Sequence, residues 1–247
     1  MVNLVIDIGN SRSKFAVFNN RQLMRVGVLD ADPVDQVRLM LGEYAIENSI
    51  ISSVRKDVTQ VEQLLEQHTS CIRFSTALKT PVTITYKTPE TLGLDRFAGV
   101  IGAQAIFGGQ NSLVIDAGTC ITYDAISADK IYAGGSISPG LNMRLQAMHT
   151  FTGRLPFLEF KEDRKDWQGV DTSSAMLSGV LNGAFFEVLG FIQEYNSHYP
   201  DLQIILCGGD ANFFDTRLKN SIFSHNFKAE PHLVLIGLNE VIHQYND

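Results

Sequence analysis

Two aspartates stand at matching places in two near-copies of one short pattern. Leu4-Val5-Ile6-Asp7-Ile8-Gly9 recurs as Leu113-Val114-Ile115-Asp116-Ala117-Gly118, 109 residues further along a chain of 247. Each copy is an apolar strand that ends in a carboxylate, then a glycine, then small hydroxyl or amide residues: Asn10 and Ser11 in the first, Thr119 in the second. A glycine turn lets backbone N–H groups close on a phosphate because no side chain stands in the way. A carboxylate cannot bind phosphate directly, and so suits a metal ion bridged to it. A single such strand end could be no more than a buried strand running into a turn. Two with matched surroundings favour a nucleotide held by paired turns.

Other residues add chemistry to these turns. Asp95 lies where the irregular segment Thr88-Pro89-Glu90-Thr91-Leu92-Gly93 gives way to a helix expected to start near Arg96. On local grounds it reads as an N-cap aspartate or as a carboxylate available for proton transfer. Gly208-Gly209 follows an apolar strand, and is either a tight turn or a backbone surface for a flat base. Gly135 and Gly140 have the glycine spacing of a P-loop, but Leu141 stands where that motif needs lysine. No Rossmann G-x-G-x-x-G occurs, so nucleotide binding depends on the paired turns.

The elements that must position these residues follow from the hydrophobic pattern. Val2–Ile8, Ser13–Phe18 and Gln22–Val28 read as strands. Asp32-Pro33 then starts a helix, with Val34, Val37, Leu41 and Tyr44 at helical spacing. Ser49–Val54 is a strand, and Asp57 caps a helix carrying Val58, Val61, Leu64 and Leu65. The second half repeats this order: strands at Ser112–Asp116, Thr119–Ile126 and Lys130–Gly134, helix after Gly140, a long helix over about Ser174 to His198, and a strand at Gln203–Cys207. A short helix from Asp210 and a last one around Gly237–Gln244 follow. Three strands, then helix and strand in alternation, written twice, predict an α/β chain of two ribonuclease-H-like lobes with mixed sheets and a cleft between them. The turn cluster Gly108-Gly109-Gln110-Asn111 sets the expected boundary, giving lobes 1–110 and 111–247.

Composition narrows the function classes. A net charge of −7 without a compensating basic cluster argues against a nucleic-acid partner. Cys71, Cys120 and Cys207 are odd in number and far apart, as expected of reduced thiols in a cytoplasmic protein. The scattered histidines show no zinc-ligand spacing. The opening Met-Val-Asn-Leu-Val-Ile-Asp reads as a first strand, not a signal peptide, and no bilayer-spanning stretch and no membrane partner are expected.

Six segments taken in order carry a resemblance: Asp7-Ile8-Gly9-Asn10-Ser11-Arg12-Ser13-Lys14, Gly93-Leu94-Asp95-Arg96, Asp116-Ala117-Gly118-Thr119, Gly134-Gly135-Ser136-Ile137-Ser138-Pro139-Gly140, Asp171-Thr172 and Cys207-Gly208-Gly209-Asp210. Over essentially the whole chain this set resembles the type III pantothenate kinase family, within the superfamily of acetate and sugar kinases, actin and heat-shock ATPases. The resemblance implies the actin-like ATPase fold. It also implies phosphorylation of pantothenate to 4'-phosphopantothenate by ATP, the first step towards coenzyme A. By the same resemblance Asp7, Ile8, Gly9, Asn10, Ser11, Arg12, Ser13 and Lys14 wrap the ATP phosphates with Mg²⁺, and Thr119 touches ATP. Lys14 could equally be solvated on its strand. Asp116 is assigned to a monovalent cation, K⁺ or NH₄⁺, and an oxygen-only donor set suits such a hard ion. Asp95 becomes the catalytic base, while Tyr86, Gly93, Leu94, Asp95, Arg96 and Thr172 contact pantothenate. Cys120 stands where the family commonly has alanine, either filling a small apolar pocket or making the enzyme sensitive to oxidation. A homodimer is implied, and the long apolar helix could be its interface or simply core. The rival functions for these motifs are a related small-molecule kinase, a nucleotide-binding regulator without turnover and an actin-like filament protein.

Overall fold

The computed structural model of the chain describes residues 1–9, 13–30, 33–53, 58–160, 167–220 and 227–246. Asn10, Ser11, Arg12, Asp32, Val54 and Asp57, on which part of a turn, a strand end and two helix starts were expected, lie outside them.

Strands β1 (Val2–Ile8), β2 (Ser13–Asn19) and β3 (Gln22–Leu29) open the chain, followed by helix α1 (Pro33–Glu43), β4 (Asn48–Ser53), α2 (Thr59–His68) and β5 (Ser70–Arg73). The short strand β6 (Thr83–Ile84) and a 3-10 turn at Pro89–Thr91 lead into α3 (Leu94–Phe107). Then come β7 (Ser112–Ala117), β8 (Cys120–Ile126), β9 (Ile131–Pro139), α4 (Leu141–Thr150) and α5 (Thr172–His198). The chain closes with β10 (Gln203–Cys207), α6 (Ala211–Leu218), β11 (Phe227–Ala229) and α7 (Leu233–Asn246).

The duplication read from the two aspartate turns is complete at the level of topology. One sheet runs β3-β2-β1-β4-β5 and the other β9-β8-β7-β10-β11, the same order in both, with β6 added beside β9. In each copy the aspartate strand pairs antiparallel with its successor and parallel with a later strand. Parallel neighbours need a crossover, and helices supply it in both copies. This is an α/β fold of two ribonuclease-H-like halves.

The chain divides into two compact units, one of residues 1–109, 129–133 and 232–247, the other of residues 110–128 and 134–231. The first break lies one residue from the expected boundary at 110. The last helix, however, packs with the first unit, where a cut at 110 places it in the second. Its polar contacts with the first unit help explain why. Asn3 Nδ2 donates to Asn239 Oδ1 at 2.9 Å, Asn239 Nδ2 donates to the Asn20 carbonyl at 2.9 Å, and Arg21 forks onto Glu240. Asn3 and Asn239 are both buried, so losing Asn239 would take the partner of the Asn3 amide N–H, and losing Asn3 that of the Asn239 amide oxygen.

Each unit has its own core. In the first, Leu4, Ile6 and Ile8 of β1 and Phe15 and Val17 of β2 meet Val37 and Met40 of α1 and Val61, Leu64 and Leu65 of α2. In the second, Leu113, Ile115 and Ala117 of β7 meet Leu141 and Leu145 of α4, Val180, Leu181, Ala184 and Val188 of α5, and Phe213 and Phe214 of α6. Central strands are buried on both faces, which is why β1 and β7 read as near-continuous apolar runs.

Among the described residues, three strands were not expected from sequence: β5, β6 and β11, of four, two and three residues. Such edge pieces are too short to display an alternation. The helix expected near Arg96 begins at Leu94, and the one expected near Gly237 begins at Leu233. Helix α5 also corrects an expectation, since by length and composition it is apolar enough to cross a membrane. One face is nevertheless built into the core of the second unit, and Glu187 on the same helix is ion-paired with Arg144.

Candidate active site

The first aspartate turn is set by strand register. Asp7 stands directly opposite Lys14 in the β1–β2 ladder, with Ile8 opposite Ser13. Opposed residues of an antiparallel pair have their side chains on one face of the sheet, so Asp7 and Lys14 share that face. Both are half-buried. Lys14 is the second residue of β2, next to Ser13 at the loop end of the strand. Gly9 closes the described part of the loop, and Asn10, Ser11 and Arg12 lie outside the described residues.

The second copy has one residue fewer between its paired strand ends. Ala117 pairs with Ile121 and Asp116 with Thr122, leaving only Gly118, Thr119 and Cys120 between the paired ends. Asp116 is half-buried and Thr119 exposed. Thr122 Oγ1 is buried and has no hydrogen-bond partner. An orphaned hydroxyl opposite a carboxylate makes an oxygen donor set that suits a hard monovalent or divalent cation. Sequence reading passed over Thr122 because a threonine in a strand carries no signal; only its register against Asp116 singles it out. No group of three or more His, Cys, Asp or Glu side chains that could hold a metal occurs among the described residues. Any cation here would lean on hydroxyl, backbone and ligand oxygens beside the carboxylates.

The third strand end in this unit meets the second. Gly208 has φ +96°, and its backbone lies against Asp116 and Ala117. The Asp210 N–H donates to the Ala117 carbonyl at 2.8 Å. The Gly208-Gly209 turn is thus joined to the Asp116 turn by backbone contact. Cys120 is half-buried beside them, and Cys207 is buried.

In the first unit, Tyr86, Gly93, Leu94, Asp95 and Arg96 come together at the start of α3. Gly93 occupies the N-cap place without any side-chain cap, and Asp95 lies in the first helical turn. Asp95 is therefore not the capping residue that its sequence position also allowed. It is exposed, and its Oδ1 accepts the Arg96 N–H at 2.8 Å. A carboxylate at this end of a helix is favoured by the helix dipole, and its exposure leaves it open to an incoming hydroxyl. Arg96 is the reverse case, a charged side chain only 7% exposed, with its guanidinium 6.0 Å from the Tyr86 ring centre. The pair offers a cation and an aromatic wall beside an exposed carboxylate.

Thr172 belongs to the second unit, as the first residue of α5. Asp171 caps that helix, accepting the Ser174 N–H at 2.7 Å, while Ser174 Oγ accepts the Asp171 N–H at 2.9 Å. Such a reciprocal cap is worth about 1 kcal/mol and fixes the entry of the chain. It leaves the Thr172 hydroxyl exposed.

A family model described as Type III pantothenate kinase matches residues 3–194. The Type III pantothenate kinase of Phocaeicola vulgatus is 41% identical over 247 residues, covering 100% of this chain and 99% of its own. That of Christiangramia forsetii is 41% identical over 243 residues, covering 98% of each. Among solved structures, a candidate N-acetylmannosamine kinase from Listeria monocytogenes aligns with a TM-score of 0.61 over the whole of both chains. At 11% identity that likeness concerns the sugar-kinase and actin-like ATPase fold alone.

Proposed function

Since the chain belongs to the type III pantothenate kinase family, we propose that it transfers the γ-phosphoryl group of ATP to the primary hydroxyl of pantothenate, giving 4'-phosphopantothenate and ADP. The full-length likeness to relatives bearing that name carries this conclusion. Kinases of this family use ATP with a divalent cation.

The residues take roles that their surroundings support. Asp95, exposed at the start of α3, accepts the hydroxyl proton as the oxygen–phosphorus bond forms and the bond to ADP breaks. Phosphoryl transfer asks chiefly for positioning and charge stabilisation, so one oriented carboxylate suffices as base. Arg96 and Tyr86, already side by side, hold the pantothenate carboxylate and chain, with Gly93 and Leu94 supplying backbone and Thr172 a further hydroxyl. Asp7, Ile8, Gly9, Asn10, Ser11, Arg12, Ser13 and Lys14 serve the ATP phosphates, and the opposition of Lys14 to Asp7 supports a cationic contact there. Thr119 serves the nucleotide as well. Mg²⁺ bound through Asp7, and K⁺ or NH₄⁺ bound through Asp116, would neutralise phosphate charge as it develops. The unpartnered Thr122 hydroxyl supports the second of these sites.

The chain works as a homodimer in the cytoplasm. Phe151, Trp167, Val170 and Phe186 of the second unit are large apolar side chains between 65% and 92% exposed, which supports a partner copy. Three free cysteines support a reducing compartment.

The deciding experiment follows ADP release from ATP with and without pantothenate, and identifies the product by mass. Pantothenate-dependent ADP release with a phosphorylated product is the expected result. ADP release unaffected by pantothenate but stimulated by a sugar would point to a different acceptor.

A further inference from the structure

Behind the Asp116 turn lies a charged network that the roles above do not use. Tyr123 of β8 is fully buried, and its hydroxyl donates to Glu187 Oε1 of α5 at 2.9 Å. Arg144 of α4 donates from Nη2 to Glu187 Oε2 at 2.6 Å and to Ser138 Oγ at 2.7 Å, and from Nε to the Pro139 carbonyl at 2.8 Å. The Arg144 and Glu187 side chains are only 21% and 26% exposed. Burial alone would raise the Glu187 carboxyl, but the bonds from Arg144, Ser138 and Tyr123 hold it below the ordinary glutamate range. Glu187 is thus ionised with both oxygens engaged.

The network ends on the backbone that supports the turn. Gly140, next after Pro139, donates its N–H to the Thr119 carbonyl at 3.1 Å. A Cβ on Gly140 would lie 2.6 Å from that same oxygen and would also strike the Gly118 carbonyl, so the two segments are in backbone contact. On the other side, Tyr123 sits in the strand that leaves the turn, three residues after Cys120 and opposite Ile115 of β7. Glu187 therefore bonds to both supports of Gly118-Thr119: directly to β8, and through Arg144 to the Ser138-Pro139-Gly140 corner. A partly buried ion pair adds little net stability over apolar packing of the same volume, whereas its directional bonds fix one geometry.

We propose that Glu187 and Arg144 are positioning residues for the nucleotide, holding the Gly118-Thr119 turn in its ATP-binding shape. This inference depends on Thr119 serving ATP, as read above. Pantothenate contacts are predicted to be insensitive to it, because Thr172 lies 15 residues from Glu187 along α5, about 22 Å of helix.

The test measures KM for ATP and for pantothenate, and kcat, in Glu187→Gln, Thr119→Ala and the double variant. Arg144→Lys, which keeps the charge but loses the guanidinium fork, is measured alongside and decides the matter should Glu187→Gln not fold. Glu187→Gln and Arg144→Lys are each expected to raise the ATP KM about tenfold, roughly the worth of one charged hydrogen bond. The pantothenate KM should stay within twofold. Adding Thr119→Ala to Glu187→Gln should cost less than in the wild type, since the turn is already displaced. An unchanged ATP KM in folded single variants overturns the proposal. An equal rise in both KM values, or a loss of melting temperature alone, also overturns it by making the network merely structural. If Thr119→Ala by itself leaves the ATP KM unchanged, the nucleotide role of the turn fails, and the inference fails with it.

Discussion

Gly208 and Asp116 mark the point where two strand ends of one unit touch. A Cβ on Gly208 would lie 2.5 Å from Asp116 Oδ1 and would strike the Ala117 carbonyl, and the φ of +96° at Gly208 already excludes most side chains. Gly208→Ala should therefore shift the carboxylate as well as strain the backbone. The left-handed conformation alone costs about 1–2 kcal/mol, and each kcal/mol lowers the melting temperature by about 2–4 °C in a chain of this size. A Cβ on neighbouring Gly209 would meet nothing within 4 Å. Scanning calorimetry without nucleotide should show Gly208→Ala melting several degrees early and Gly209→Ala close to wild type.

Asp95→Asn tests the base. Asparagine keeps the shape but cannot accept the proton, so turnover should fall by about 10²–10⁴-fold. Because Asp95 is exposed and forms no cap, the fold loses only its favourable interaction with the helix dipole, about 0.3–1 kcal/mol. Turnover within a few-fold of wild type in the folded variant would assign proton transfer elsewhere.

Asp7→Asn tests the assignment of ligands to turns. Mg–ATP binding should weaken while pantothenate binding remains, and titration calorimetry with each ligand alone reads both. Loss of pantothenate binding with Mg–ATP retained would reverse the assignment.

The cation requirement follows from Asp116 and the orphaned Thr122 hydroxyl opposite it. At fixed ionic strength and saturating Mg²⁺, rates should be higher in K⁺ or NH₄⁺ than in Na⁺. Equal rates in all three would remove the site.

A pH effect follows from Glu187. Its carboxyl is lower in the folded chain than in the unfolded one, so the unfolded state binds the proton first. That contribution to stability is complete above the ordinary glutamate pKa, about 4.3, and is lost as pH falls through the folded value. Denaturation by urea between pH 3 and about 6 should show wild type losing stability on acidification more steeply than Glu187→Gln.

Much of this protein follows from its sequence alone. The two aspartate turns, the strand–helix order around them and the segment Gly93-Leu94-Asp95-Arg96 are local patterns of spacing and residue type. Burial on both faces makes β1 and β7 apolar throughout, so they are visible without any knowledge of what covers them. Register and return paths are another matter, because they depend on pairings between residues far apart in the chain. Lys14 opposite Asp7, Thr122 opposite Asp116 and Gly208 against Asp116 exist only once strands are aligned. Asp95 reads equally well as a cap until the helix is placed, starting one residue before it at Leu94. The last helix joins the first unit through Asn3, Asn20 and Asn239, and Glu187 reaches Tyr123 and Arg144 across 64 and 43 residues. Polar groups of these types occur throughout any surface, and it is burial with a partner from a distant segment that gives them their roles.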